Sequence, residues 1–348
     1  MDLFFIEFRD PLFSVIIFFT LIFIITFFSY WWGRYKRTQD SRHLDRFLRQ
    51  FRTLPSQDEL KVLISSGELS EKSWLLLADA YYKNGEYEKS IEIYNEILKV
   101  GKSANTKETL FLLGKTYFRA GFLERSRQIF LEILSASPRT PQALHYLLLV
   151  YEYMRDYKAA LDVLDSLDEL DESIELDRTY LKALATIHDP KRTDAQKVEE
   201  LLDLYEEHHA LHYLIFSFIF RVDPARAWQH LDLSESQLLS ELLWNCDKEK
   251  LDFAIISKNE FLRQLYTARG YCDLSSGSNI FELDILIKLQ RKANATLSFE
   301  YVCSNCKSVA PFAFDRCSSC HAIDTAVVEW NLCRDYSRDF SEENNSFQ

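Results

Sequence analysis

Hydrophobic positions follow three different patterns along the chain. The first is an unbroken run from Leu12 to Trp32, rich in Phe, Ile and Leu and free of charge. At the helical rise this run extends roughly 32 Å, enough to cross the hydrocarbon core of a bilayer. Tyr30, Trp31 and Trp32 close it as an aromatic belt at headgroup level. Arg34, Lys36, Arg37, Arg42, Arg46, Arg49 and Arg52 follow it, whereas Arg9 on the other side is offset by Asp2, Glu7 and Asp10. Positive charge marks the cytoplasmic flank of a membrane span, so the body of the chain is expected in the cytoplasm. A cleaved signal peptide needs basic residues before its apolar core and a small-x-small site after it, and this run has neither. No face of the run is polar, which also argues against a core helix. The expectation is a single-pass anchor over 12–32 within a segment 1–33. A basic juxtamembrane linker or helix over 34–70 follows, able to rest on anionic membrane lipid.

The second pattern is helical and repeats. Trp74-x-x-Leu77-Ala78-x-x-Tyr81 aligns with Leu110-x-x-Leu113-Gly114-x-x-Tyr117 and with Leu144-x-x-Leu147-Leu148-x-x-Tyr151. Ser90/Tyr94/Ile97, Ser126/Phe130/Ile133 and Ala160/Leu164/Leu167 form the matching second helices. Gly85 and Gly121 fall at the turns between paired helices, and Pro138 closes the second unit. Spacings of 36 and then 34 residues are those of tetratricopeptide repeats. Small residues at Ala78, Gly114, Ser90 and Ser126 let paired helices approach closely. Such hairpins bury their apolar faces only by stacking, which creates a groove. Leu75, Asp79, Tyr82, Phe111, Lys115, Phe118, His145 and Glu152 are expected to face it. The Lys/Asn pattern that clamps a chaperone's C-terminal carboxylate is missing, with Leu75/Asp79 and Phe111/Lys115 in its place.

The repeats are assigned to 71–170. From 171 to 295 the periodicity stays helical while the signature fades, which reads as degenerate helical pairs continuing the array, with a separate helical domain as the alternative. Asp223-Pro224 suggests a helix start with Asp as cap, and Ser234 followed by Gln237 resembles a capping box. His208 and His212, four residues apart, share one helix face at metal-ligand spacing. Without a further ligand they read as a polar face rather than a metal site.

The third pattern is short and alternating. Residues around Phe299–Val302 and Ala326–Trp330 read as strands that hold Cys303-Ser304-Asn305-Cys306 and Cys317-Ser318-Ser319-Cys320. Each Cys-x-x-Cys can turn two thiolates toward one ion, and two such turns complete a tetrahedral site for zinc or iron. Four thiolates leave no open coordination position, so the site is structural or at most an electron carrier. So few apolar residues accompany it that the ion is expected to supply folding energy. The segment is placed at 296–332, followed by an acidic tail over 333–348. Cys246 and Cys272 read as small buried apolar residues, and Cys333 as a spare thiol.

Composition narrows the function. With 8 Gly and 7 Pro in 348 residues, the body is expected to be all-α apart from the small β ribbon. A net charge of −12 argues against general nucleic-acid binding, which needs a concentrated basic face. An odd total of 7 cysteines is a poor disulfide framework and favours a reducing compartment. No Gly-rich phosphate loop or Gly-x-Ser-x-Gly motif is present, so the chain is not expected to be an enzyme.

In this arrangement the chain resembles the lipopolysaccharide assembly protein B family of Gram-negative bacteria. The resemblance is carried by Leu113-Gly114-x-x-Tyr117-x-x-Ala120-Gly121, by Ala159-Ala160-Leu161-Asp162-Val163, and by the ribbon residues Tyr301-x-Cys303-x-x-Cys306 and Cys317-x-Ser319-Cys320. The chain departs from the family at Lys307 and Ser318, where Gly and Pro are usual, and in its longer acidic tail. The resemblance implies an inner-membrane anchor with a periplasmic N-terminus, cytoplasmic repeats and a rubredoxin-like metal-binding domain. It implies an adaptor that couples a membrane ATP-dependent protease to the deacetylase committing precursors to lipid A, and so limits lipopolysaccharide synthesis. Two other functions fit the residues: a scaffold for a different envelope machine, and a rubredoxin-like electron carrier.

Overall fold

A computed structural model describes residues 70–100, 106–273, 277–289 and 294–334, together with residues 21, 23, 24, 27, 62 and 64. The expected anchor and basic linker lie outside the described residues, apart from the helical, exposed Leu21, Phe23, Ile24 and Phe27 and the helical Val62 and Ile64. Among the described residues no helix is long and apolar enough to cross a membrane. The chain divides into two compact units at Met154/Arg155. This boundary falls between the two helices of the third expected repeat.

In the first unit the described helices are α1 (Glu71–Lys83), α2 (Tyr87–Val100), α3 (Thr106–Arg119), α4 (Leu123–Ala136) and α5 (Pro141–Tyr153). Ser70 caps α1 by accepting the Ser73 backbone N–H. The two hairpin turns are built alike, with Gly85 and Gly121 both at φ 80°, a left-handed conformation that Gly adopts without a Cβ clash. Their N–H groups reach back to the carbonyls of Tyr82 and Phe118 at 3.1 and 3.0 Å. Trp74, Leu77, Ala78, Ile93, Tyr94, Ile97, Leu113 and Tyr117 form a continuous core through α1, α2 and α3. Where α3 meets α4, a Cβ on Gly114 would stand 3.0 Å from the Phe130 ring. Ser126 Oγ donates to the Gly114 carbonyl at 2.9 Å in the same buried contact. The small residues therefore set the helix separation, as expected. Phe130 in turn stacks on Tyr146 at 5.5 Å and joins the second hairpin to α5.

The second unit begins with α6 (Tyr157–Asp168), capped by Asp156, which accepts the Ala159 N–H. It continues through α7 (Glu175–His188), α8 (Asp194–His208) and α9 (His212–Val222), which pack in sequence. Beyond these the helices shorten: α10 (Pro224–His230), α11 (Ser240–Trp244), α12 (Phe253–Ile256), α13 (Glu260–Ala268) and α14 (Phe281–Leu289), with 3-10 turns at Leu233–Leu239 and Lys248–Lys250. Asp223 caps α10 with Pro224 at its start. Ser234 and Gln237 form no capping box, because Asp232, two residues earlier, accepts the Ser234 N–H and takes the cap position. A capping box does form at Thr193 and Gln196, ahead of α8.

His208 and His212 do not share a helix. His209 and Leu211 both adopt left-handed conformations at φ 46° and 61°, which ends α8 and starts α9. His212 Nδ1 instead lies 3.2 Å from the Tyr205 hydroxyl.

The C-terminal sheet has the order β2-β1-β3, with β1 (Ala295–Cys303), β2 (Val309–Ala310) and β3 (Ala326–Arg334) antiparallel. Cys303 pairs with Ala326, and Phe299 with Trp330. Leu297 and Ile323 belong to the same buried cluster as Leu211, Ile215, Leu243 and Leu262 of the helices. The ribbon therefore does not depend on an ion alone for its folding energy, because part of its core is supplied by the helical body. Cys246 and Cys272 are half-buried at the edge of this cluster rather than fully buried within it.

Candidate metal centre and partner face

Each Cys-x-x-Cys turn closes in the same way. The Lys307 N–H donates to the Cys303 carbonyl and the His321 N–H to the Cys317 carbonyl, both at 2.9 Å. Cys303 N–H and Cys317 N–H donate to the carbonyls of Ser308 and Ala322, again at 2.9 Å. Lys307 and His321 both stand at φ 62°, so each turn places a side-chain-bearing residue in the left-handed region. The result is two knuckles that face each other with their sulfurs inward.

The four ligand atoms of Cys303, Cys306, Cys317 and Cys320 all lie within 4.8 Å of one another. Cys303 Sγ to Cys320 Sγ and Cys306 Sγ to Cys317 Sγ are both 3.7 Å. A tetrahedron with metal–sulfur bonds of about 2.3 Å has edges of about 3.8 Å, whereas a disulfide requires about 2.05 Å. The donor set and its dimensions thus fit one tetrahedral metal ion.

Hydroxyl and amide groups surround the sulfurs. Ser308 Oγ is 3.1 Å from Cys306 Sγ and 3.3 Å from Cys317 Sγ, bridging one ligand of each knuckle. Thr325 Oγ1 lies 3.3 Å from Cys303 Sγ, and Asn305 Nδ2 donates to Cys320 Sγ at 3.5 Å. Burial works against ionisation of Cys303, but Thr325 and the N–H groups of Cys306 and Asn305 outweigh it and bring the thiol down to about 6. At Cys317 burial is likewise overcome, by Ser308 and the N–H groups of Cys320 and Ser319. Cys303 and Cys317 are buried and Cys306 is exposed, so one side of the cage faces solvent.

The residues flanking the knuckles fasten them to the helices. Arg316, next to Cys317, reaches Asp177 of α7 at 2.9 Å and sits 5.0 Å over the Tyr180 ring. Asp324 Oδ2 accepts the Leu211 N–H at 3.1 Å, supporting the strained break between α8 and α9. Tyr301 donates to Glu241, with Tyr213 beside both. Spacing in the sequence gives no sign of these three links.

On the first unit, the residues expected to face a groove divide into two groups. Tyr82 and Lys115 come together near the accessible surface, with Lys115 Nζ 5.0 Å over the Tyr82 ring, while Asp79 pairs with Lys83 at 2.7 Å. Leu75 is half-buried and His145 exposed. Phe118 and Glu152 are buried, and Phe111 is engaged edge-on by Phe130 and Tyr146. Arg119 and Tyr153, which were not anticipated, complete the face. They occupy the positions on α3 and α5 that correspond to Lys83 of α1 and could have been found by extending the repeat alignment past Tyr81.

Residues 71–100, which comprise α1 and α2, match the tetratricopeptide repeat family. Comparison with curated proteins gives no match. Among solved structures the chain is similar to MamA, residues 41 to the end, from Desulfovibrio magneticus RS-1. The identity is 20%, over 46% of this chain and 89% of that one, with a TM-score of 0.36. It is also similar to a tetratricopeptide repeat protein from Parabacteroides merdae ATCC 43184, at 15% identity over 72% of this chain and 97% of that one, with a TM-score of 0.39. The described chain is a mostly helical, tetratricopeptide-type array with a small C-terminal sheet, and tetratricopeptide repeats indicate a protein-interaction scaffold.

Proposed function

We propose that the protein is a membrane-tethered, non-enzymatic adaptor whose helical hairpins hold protein partners on the cytoplasmic face of a bacterial inner membrane. The supporting observation is the pairing of a tetratricopeptide match at residues 71–100 with a four-cysteine ribbon built onto a helical body. Cys303, Cys306, Cys317 and Cys320 bind one ion, zinc or iron, which braces the ribbon and so stiffens the second unit. Attachment to the membrane confines partner search to the surface where a membrane protein already sits, raising effective concentration without strong intrinsic affinity.

The partners proposed are a membrane ATP-dependent protease and its client, the deacetylase committing precursors to lipid A, with restraint of lipopolysaccharide synthesis as the outcome. Depletion of the protein is expected to raise both deacetylase level and lipopolysaccharide content. Unchanged levels of both would refute this reading. A scaffold for another envelope machine is the alternative, and cross-linked pull-down of the tethered protein separates them by which machinery is recovered. Exposure of Cys306 leaves a third reading, an electron carrier, in which purified protein shows iron–thiolate absorption and a reversible potential. Colourless, zinc-loaded protein with unaltered function removes it.

A further inference from the structure

Among the described residues of the first unit several cations have no carboxylate partner, and two of them lie one turn apart on α3. Lys83, Lys99 and Arg127 each have a carboxylate oxygen within 2.7 Å, on the same helix. Lys115 and Arg119 of α3 have no ion-pair partner among the described residues. Tyrosines flank them instead. Lys115 lies over the Tyr82 ring. Burial opposes the charge of Arg119, while hydrogen bonding to Tyr82 and the nearby Tyr87 and Tyr146 favour it. Tyr153 of α5 stands 56% exposed, edge-on to Phe118 at 5.2 Å. Two positive groups on successive turns of one helix are thus bordered by aromatic rings from the helices beside it.

We infer that this face binds an extended acidic segment of a protein partner, with side-chain carboxylates at alternate positions. The inference rests on the adaptor reading and names the chemistry of its partner. Lys115 and Arg119, four residues apart, are separated by about 6 Å along the helix axis. In an extended chain, residues i and i+2 project to the same side about 6.6 Å apart. A Glu-x-Glu pattern therefore presents its two carboxylates at the spacing of the two cations. The tyrosine rings offer flat amphipathic surface to the side chains between and beside them.

The probe is a fluorescently labelled ten-residue peptide of alternating Glu and Ser, amidated at its C-terminus. It is titrated by anisotropy against the full-length protein in detergent. Saturable binding is expected, weakened about tenfold or more by Lys115→Glu/Arg119→Glu. The milder Lys115→Gln/Arg119→Gln pair, with an unchanged melting curve, is expected to show a smaller loss. Lys107→Glu/Arg125→Glu, of equal charge change elsewhere, should leave binding within twofold. The inference is overturned by absence of binding, by equal losses in both charge-reversed proteins, or by a peptide that binds only with a free C-terminal carboxylate. Deacetylase levels that ignore depletion of the protein would sink the adaptor role and leave the peptide result standing. Peptide failure with intact deacetylase control would do the reverse.

Discussion

Two Arg–Asp pairs in the second unit have nearly equal lengths and should differ severalfold in energy. Arg316 meets Asp177 at 2.9 Å with side chains 9% and 28% exposed, whereas Arg178 meets Asp165 at 3.0 Å with 27% and 67% exposed. Arg316 also donates to the His321 carbonyl at 2.9 Å, so its guanidinium is fixed at the edge of the second knuckle. Removing one partner of a buried pair costs about 3 to 5 kcal/mol because the other charge is left desolvated. The partial exposure of Asp177 lowers this to about 2 to 3 kcal/mol for Asp177→Ala. Asp165→Ala, in a pair open to water, costs about 0.5 kcal/mol or less. For a unit of this size each kcal/mol moves the melting temperature by about 2 to 4 °C, so Asp177→Ala should lose roughly 5 to 10 °C and Asp165→Ala about 1 °C. Arg316→Met combined with Asp177→Leu should recover most of the loss, since apolar groups of similar volume replace buried pairs at little cost. Melts of the metal-loaded protein by circular dichroism read all three. Equal shifts for the two aspartate variants would refute the view that the ribbon is latched to α7 through a buried ion pair.

At the turn before α6, Arg155 holds φ 60° in the place occupied by Gly85 and Gly121 in the two preceding turns. Arg155→Gly is expected to stabilise the protein by about 0.5 to 1 kcal/mol by relieving left-handed strain, read as a higher urea midpoint; a lower midpoint would show that the Arg side chain contributes more than the strain costs. Ser308→Ala removes the hydroxyl shared by Cys306 and Cys317, and metal affinity in chelator competition should fall about tenfold, with Ser308→Thr near the parent value. Burial pushes Tyr94, Tyr205 and Tyr213 up to about 12, with Glu241 adding to the shift at Tyr213. The unfolded chain loses these protons near pH 10 while the folded chain retains them, so stability is full below pH 10 and declines as pH rises through about 12. Tyr213→Phe should flatten this alkaline decline in melting temperature, and an unchanged slope would remove Tyr213 from the account.

What the sequence revealed and what it hid divide along a physical line. Local periodicities were legible: Trp74, Leu77 and Tyr81 recur as Leu110, Leu113 and Tyr117 because each hairpin must bury the same faces, and Gly85 and Gly121 recur because both turns require positive φ. The cysteine spacing was legible for the same reason, since each knuckle closes within six residues. His208 and His212 were misjudged because neither Gly nor Pro marks the break between them, and Leu211 holds its left-handed conformation with help from Asp324, 113 residues away. Ser234 lost the cap to Asp232, a competition decided by which side chain meets the first free N–H. Such outcomes depend on partners that local pattern does not contain.

The same distinction bears on why the ribbon stands where it does. A knuckle pair with a small core of its own would fold only when metal is present, and its position would follow no helix. Here Leu297 and Ile323 enter the helical core, while Arg316 and Asp324, flanking the second knuckle, hold α7 and the break between α8 and α9. Both latches lie close in sequence to Cys317 or Cys320, so any change in the cage is transmitted directly to the helices. An ion held by the four cysteines would thereby be coupled to the shape of the second unit through contacts that need no active chemistry. Removing it should loosen α7 and α9 before the helices distant from the ribbon, an order that hydrogen exchange would record as early loss of protection at Leu211 and Tyr180. Uniform loss across the unit would mean that the ribbon and helices unfold together, and that the latches confer no local control.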